Sequence, residues 1–200
     1  IVKNQNTFLI EAYHRGEIKL QLIKIGYPVE DRIQLKRGVH LPMHLRKTTV
    51  MGKPFSVRPY QSQAGDALLG DLGPGVGFGT IVLPCGSGKT VVGMYIMGRL
   101  QTRTLIVTTN VAAVHQWMTE ILDKTSLTKD EVGEYTGDRK EDKQVMVCTY
   151  QVLTYRPDKE GPFPHLELLT KGAWGLIIYD EVHMLPAPVF KVTAELQAVY

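Results

Sequence analysis

Two short runs of this chain carry side chains that could together handle a phosphate ester bond. The first is Leu83-Pro84-Cys85-Gly86-Ser87-Gly88-Lys89-Thr90, and the second, about ninety residues later, is Asp180-Glu181-Val182-His183. Glycines at 86 and 88 let the backbone turn its N–H groups, from Cys85 to Thr90, toward one point, which makes an anion site. Lys89 adds a positive charge and Thr90 a hydroxyl for Mg²⁺, so the run matches half of a phosphate-binding loop. Leu83 stands where the full template asks for glycine, and taken alone the run also reads as a glycine turn with an incidental lysine. Asp180-Glu181 is the second, independent element: an aspartate can hold Mg²⁺, and a glutamate can orient or deprotonate an attacking water. On its own that pair reads as a charged turn behind a core strand; paired with the loop, the chemical reading prevails.

Both runs need a strand to deliver them. Thr80-Ile81-Val82-Leu83 and Trp174-Gly175-Leu176-Ile177-Ile178-Tyr179 are short apolar runs of the kind buried on both faces of a parallel sheet. Ligands bind such sheets at the C-terminal ends of the strands. A helix from Val91 to Leu100, strands at Thr104–Thr108 and Val145–Thr149, and an Asn110-capped helix fill the space between. That helix places Val114, Trp117, Met118, Ile121 and Leu122 on one face, which makes Trp117 a core residue and not a base-stacking platform. Thr108, Thr109 and Asn110 then fall on the sheet's C-terminal edge, as do Thr149 and Tyr150. Hydroxyls, amides and helix N-terminal N–H groups there can hold nucleic-acid phosphates without reading sequence.

Ahead of the loop, Arg58-Pro59-Tyr60-Gln61 opens a helix expected over Gln61 to Leu69. A glutamine amide can meet the N6/N7 edge of adenine, and an arginine can stack on the ring or approach phosphate. Gly70 to Gly79 holds five glycines with the wrong spacing for a dinucleotide fingerprint and reads as a flexible connection. Pro157 to Pro164 reads as a loop, Leu166 to Leu169 as a helical turn, and Pro186 and Pro188 suit the first turn of a last helix. The first fifty residues are ambiguous, since Phe8 to Ile25 fits a strand as well as a helix.

With 200 residues, 44% hydrophobic and 22% charged, the chain has the composition of one ordinary soluble domain with a possible appendage. No apolar run reaches the roughly eighteen residues of a membrane span, and the N-terminus does not resemble a signal peptide. Cys85 and Cys148 lack any C-x-x-C spacing, so the expected setting is reducing and cytoplasmic, without disulfide or zinc. Cys85 is expected to be inert or merely oxidation-sensitive. Residues 1 to 60 carry a net +7 and the remaining 140 a net −4. That basic leading third suits a polyanion such as nucleic acid, or else forms a solvated basic face. The six histidines show no ligand spacing; His183, behind the acidic pair, is placed to couple nucleotide state to a neighbouring element.

These motifs resemble the superfamily-two helicases, and most closely the XPB-type DNA repair helicases in their bacterial form. Leu83 to Thr90 is similar to that family's motif I, leucine included. Arg58-Pro59-Tyr60-Gln61 is similar to its adenine-binding motif, Thr108-Thr109-Asn110 with Gln116-Trp117 to motif Ia, and Thr149-Tyr150-Gln151 to its next DNA-contacting motif. Trp174 to Phe190 resembles motif II with its flank. The resemblance implies an α/β, RecA-like parallel sheet with helices on both faces, over residues 53–200 and incomplete at its C-terminus. Residues 1–52 would be the basic end of a preceding domain plus a linker. It implies ATP and Mg²⁺ as cofactors, and as partners DNA and a second RecA-like domain carrying an arginine finger, with no membrane. It also implies 3′-to-5′ movement on DNA. Nucleotide would lie on Arg58, Gln61 and Leu83 to Thr90. Lys89 and Glu181 would do the chemistry, Thr90 and Asp180 would hold the metal, and Thr108, Thr109, Asn110, Thr149 and Tyr150 would meet DNA. Without the finger, worth about three to five decades in rate, these 200 residues are expected to bind ATP weakly and hardly hydrolyse it. Two rival readings remain: another superfamily-two motor, such as a restriction-system translocase subunit, and a DNA-binding module that nucleotide merely stabilises.

Overall fold

The structure, a computed structural model, describes residues 38–70, 79–155 and 172–184, with short pieces at 2–4, 7–9, 18, 21–22, 25–27, 157 and 164–165. A small antiparallel pair, β1 (Val2–Asn4) with β2 (Thr7–Phe8), stands at the start. The main body comprises α1 (Pro59–Leu69), α2 (Lys89–Leu100), β3 (Thr104–Thr108), α3 (Val111–Lys124), β4 (Val132–Tyr135), β5 (Val145–Thr149), α4 (Tyr150–Leu153) and β6 (Leu176–Tyr179). A 3-10 turn at Val182–Met184 follows. Most of the leading segment, the glycine-rich connection at 71–78, the expected turn at Leu166 to Leu169 and the last helix from Pro186 lie outside the described residues.

The sheet is four-stranded and wholly parallel, in the order β4-β5-β3-β6. β3 and β5 are buried along their whole length, which is why Thr104–Thr108 and Val145–Thr149 read as continuous apolar runs without alternation. Ile106, Val145 and Val147 face α2 and α3, packing with Met94, Met97, Val114, Trp117 and Ile121. Leu105, Val107, Met146 and Cys148 face the other way, onto α4 and Trp174. Helices therefore cover both faces, as expected. No helix among the described residues is long and apolar enough to cross a membrane.

Two strand expectations need correction. Thr80–Leu83 joins no ladder among the described residues. Ile81 and Leu83 turn inward onto Leu69, Val92 and Ile96, while Val82 is 86% exposed. With no strand beside it to take its N–H and C=O groups, the run stays extended without becoming sheet. β6 is only half-buried, because it pairs with β3 alone and forms the outer strand of the described sheet.

The last described residues of the leading segment pack onto the body. Leu41 and Met43 lie in the main core with α2 and α3. His40 bridges Thr102 and Leu45 bridges Thr125, and the Arg46 Nε–H donates to the Thr125 carbonyl at 2.6 Å. Residues on both sides of the expected 52/53 division therefore contribute to one core.

β4 was not foreseen, and its Glu134 is the reason. The carboxylate is buried, accepting from the Thr136 hydroxyl at 2.8 Å and lying 3.0 Å from His115 Nε2. Burial alone would push this carboxyl up; those two hydrogen bonds, with the charges of His115 and Arg139, outweigh it and hold the carboxyl below its ordinary value of 4.5. A depressed pKa contributes stability that is present above the unfolded value and lost as pH falls through the folded one. Glu134→Gln should therefore melt below wild type at pH 7, and the gap should close below pH 4.5, as followed by thermal denaturation across a pH series.

Candidate functional site

The glycine turn expected between Pro84 and Lys89 is present. Ser87 N–H and the Ser87 hydroxyl both turn back to the Pro84 carbonyl, at 3.3 and 2.6 Å. Gly86 and Gly88 take φ of 76° and 80°, the left-handed region where a Cβ is penalised. Gly88 has a second constraint, since a Cβ there would sit 2.6 Å from Gln61 Nε2. Helix α2 starts at Lys89, two residues earlier than its apolar pattern suggested, because Gly88 serves as its N-cap. The Val91 and Val92 N–H groups both donate to the Gly88 carbonyl, at 2.9 and 3.3 Å, while the N–H groups ahead of them at the helix start have no carbonyl one turn back to bond.

β6 delivers the acidic pair to the same edge of the sheet. Asp180 N–H continues the ladder onto the Val107 carbonyl at 2.9 Å. Lys89 Nζ then meets Glu181 Oε1 at 3.0 Å, so residues 92 positions apart touch across the mouth of the sheet. The hydrogen bond to Glu181 is the main cause holding the Lys89 ammonium above its ordinary 10.5; desolvation opposes it, and the charges of Glu181, Cys85 and Asp180 add to the rise. Both side chains remain about a third exposed, and such pairs are worth only about 0–1 kcal/mol. An incoming polyanion can displace the contact at small cost. Glu181 adopts φ 50°, a left-handed conformation that costs a non-glycine residue about 1–3 kcal/mol and persists where the surroundings enforce it. His183 Nδ1 lies 3.4 Å from Glu181 Oε2, which ties the 3-10 turn to the acidic pair.

The Arg58-Pro59-Tyr60-Gln61 run reaches the loop differently from expectation. Gln61 is buried, and its amide is engaged at both ends: Oε1 accepts from Arg58 N–H at 2.9 Å, and Nε2 donates to the Ser87 carbonyl at 2.9 Å. Tyr60, which the sequence reading did not single out, donates its hydroxyl to the same carbonyl at 2.7 Å. Gln61 is thus a latch on the loop here, with no free donor–acceptor edge aimed outward. Arg58 remains beside it, its guanidinium 3.3 Å from the Tyr60 hydroxyl.

The five residues proposed for nucleic-acid contact divide. Thr108, Thr149 and Tyr150 are buried. The Thr108 hydroxyl bonds the Cys148 carbonyl, Thr149 Oγ1 caps α4 by accepting from Val152 N–H, and the Tyr150 hydroxyl donates to the Asp180 carbonyl at 2.8 Å. Each of these three hydroxyls is engaged within the fold, and a buried hydroxyl that leaves its partner loses a bond worth about 1 kcal/mol or more. Thr109 and Asn110 retain surface at the start of α3; Asn110 Oδ1 accepts from Ala113 N–H at 2.9 Å. Cys85 is exposed and Cys148 buried, both as free thiols.

Trp117 is core, as expected, but it also reaches the site. Its indole N–H donates to Asp180 Oδ2 at 2.8 Å. The signal available in the sequence was the general need of a buried indole N–H for an acceptor, which names no partner.

A protein-family model described as "Type III restriction enzyme, res subunit" matches residues 54–199. The chain is 45% identical, over 190 residues and 95% of its length, to a protein of Kineococcus radiotolerans named "DNA 3'-5' helicase XPB", and 43% identical over 98% of its length to one of the same name in Mycobacterium tuberculosis. It covers 32% and 33% of those proteins, so it spans about a third of the relatives it matches. A protein of Encephalitozoon cuniculi named "General transcription and DNA repair factor IIH helicase/translocase subunit XPB" is 31% identical, with 27% of its length covered. Among solved structures, the UvsW helicase of bacteriophage T4 superposes with a TM-score of 0.54 at 15% identity, over 94% of this chain and 67% of that one; this likeness shows a shared RecA-like fold.

Proposed function

Since the chain belongs to the family described as type III restriction enzyme res subunit, and within superfamily two is an XPB-type helicase segment, we propose that it is the nucleotide-binding lobe of an ATP-driven DNA helicase. The observation that carries this is the Lys89–Glu181 contact beside a glycine loop. It brings the cation that would take the β- and γ-phosphates to the carboxylate that would activate water. Backbone N–H groups from Cys85 to Thr90 would cradle the triphosphate, with Lys89 displaced from Glu181 onto it.

Thr90 and Asp180 fit Mg²⁺ by donor type, a hydroxyl and a carboxylate oxygen. Among the described residues no three His, Cys, Asp or Glu side chains gather, so such an ion would rely on these two groups plus phosphate and water, a set Mg²⁺ accepts. When bound, the ion would neutralise charge developing on the phosphates. Arg58 would stack on or approach the nucleotide, and Gln61 would meet adenine only after releasing Ser87. DNA phosphates would lie against Thr109, Asn110 and the start of α3. A second RecA-like domain would complete the site, and His183 would couple it to nucleotide state. The lobe would begin near residue 38, ahead of the expected boundary, in a cytoplasmic protein.

The test is ATP hydrolysis by the full-length protein with and without DNA, alongside unwinding of duplexes tailed at either 3′ or 5′ ends. DNA-stimulated turnover with unwinding from the 3′ tail is expected. Turnover indifferent to DNA would favour a nucleotide-stabilised binding module, and DNA cleavage in the same assay would favour the restriction-system motor.

A further inference from the structure

Asp180 is held at two points by residues that the chemistry above does not use. Its carboxylate takes the indole N–H of Trp117 at 2.8 Å, and its main-chain carbonyl takes the hydroxyl of Tyr150 at 2.8 Å. Neither donor is free to turn away. Trp117 is 3% exposed and runs from α3 against Gly93 on α2, where a Cβ would stand 2.7 Å from its ring, with Ile178 of β6 beside it. The Tyr150 ring is buried and stacks on Tyr179, centroids 6.2 Å apart at 11°.

An indole N–H is a donor only, carries no charge and does not titrate. It can therefore fix one oxygen of the carboxylate and leave the other to a cation, without competing for that cation as a lysine would. We propose that Trp117 and Tyr150 are positioning residues for Asp180 as a metal ligand: Trp117 orients the carboxylate and Tyr150 anchors the backbone that carries it. The proposal rests on the reading of Asp180 as the magnesium-binding aspartate. Carboxylates that ligate metals generally depend on such outer partners, whose loss costs about 10–100-fold in metal affinity or activity. Because Trp117 also fills the space between α2 and β6, a shift of α2 on nucleotide entry would be felt at the carboxylate.

The experiment titrates Mn²⁺ against the full-length protein with AMP-PNP, reading bound metal by electron paramagnetic resonance, for wild type, Trp117→Phe and Tyr150→Phe. At position 150 phenylalanine removes only the hydroxyl; at position 117 it removes the donor together with the part of the ring that packs on Gly93, a packing loss that the melting temperature reads separately. Melting temperatures are taken without metal. The expected result is a half-saturating Mn²⁺ concentration raised about 10–100-fold in Trp117→Phe, and raised in the same direction by a smaller factor in Tyr150→Phe. Excess metal should restore turnover at saturating ATP in both. A folded variant whose half-saturation stays within twofold of wild type overturns the assignment for that residue. If Trp117→Phe does not fold, broadening of the wild-type Trp117 indole N–H resonance by Mn²⁺–AMP-PNP decides, and a sharp resonance at saturating metal overturns it. Wild-type protein that binds no Mn²⁺ with the nucleotide would instead remove the magnesium reading of Asp180 itself.

Discussion

Glu181→Gln in the full-length protein should keep its affinity for ATP and lose about two to four decades of DNA-stimulated turnover, the usual worth of a general base. The substitution preserves shape and leaves one oxygen to accept, but an amide cannot take a proton from water. It also removes the charge that pairs with Lys89 at 3.0 Å, freeing the ammonium for phosphate; nucleotide binding should therefore hold steady or tighten while chemistry fails. Glutamine is no better than glutamate in the left-handed conformation of residue 181, so the backbone cost is common to both proteins and cancels from the comparison. Phosphate release measured beside binding of a fluorescent ATP analogue separates the two quantities. Turnover equal to wild type would take Glu181 out of the reaction.

Lys89→Ala should fail one step earlier. A hydrogen bond to a charged group is worth about 1.5–3 kcal/mol, and two such contacts, to the β- and γ-phosphates, set the loss in affinity at about two to four decades. Stability should barely change, because the ion pair that disappears is a third exposed and contributes about 0–1 kcal/mol. A melting temperature near wild type with no detectable binding of the fluorescent analogue at micromolar concentration is the expected combination. Ordinary binding would mean that the loop holds nothing the lysine contributes to.

The contrast between these two variants depends on a meeting that spacing alone could only suggest. The phosphate loop, β3, β5 and the acidic pair were legible because each is locally determined: glycines where φ is positive, β-branched runs where both faces are covered, carboxylates where a strand ends. What escaped was decided by neighbours. Thr80–Leu83 has the residues of a strand and lacks an adjacent one among the described residues. β4 has strand geometry but includes Gly133 and Glu134, and its buried carboxylate is tolerated only through partners at 115 and 136. Thr108, Thr149 and Tyr150 were assigned to the correct edge, but which of their hydroxyls the fold consumes cannot be read from order in the chain. Gln61 likewise showed a free amide on paper and a closed one in place.

The packing of residues 40–46 has a mechanical consequence. His40 and Leu45 are fastened to Thr102 and Thr125, which precede β3 and follow α3, and both points lie at the rear rim of the sheet, opposite the triphosphate loop. Residues 40–46 are thus held against the back of the lobe at two separate points. A version of the protein trimmed to start at residue 54 would lose both bridges along with two core side chains, Leu41 and Met43, and should melt well below one that begins ahead of residue 38.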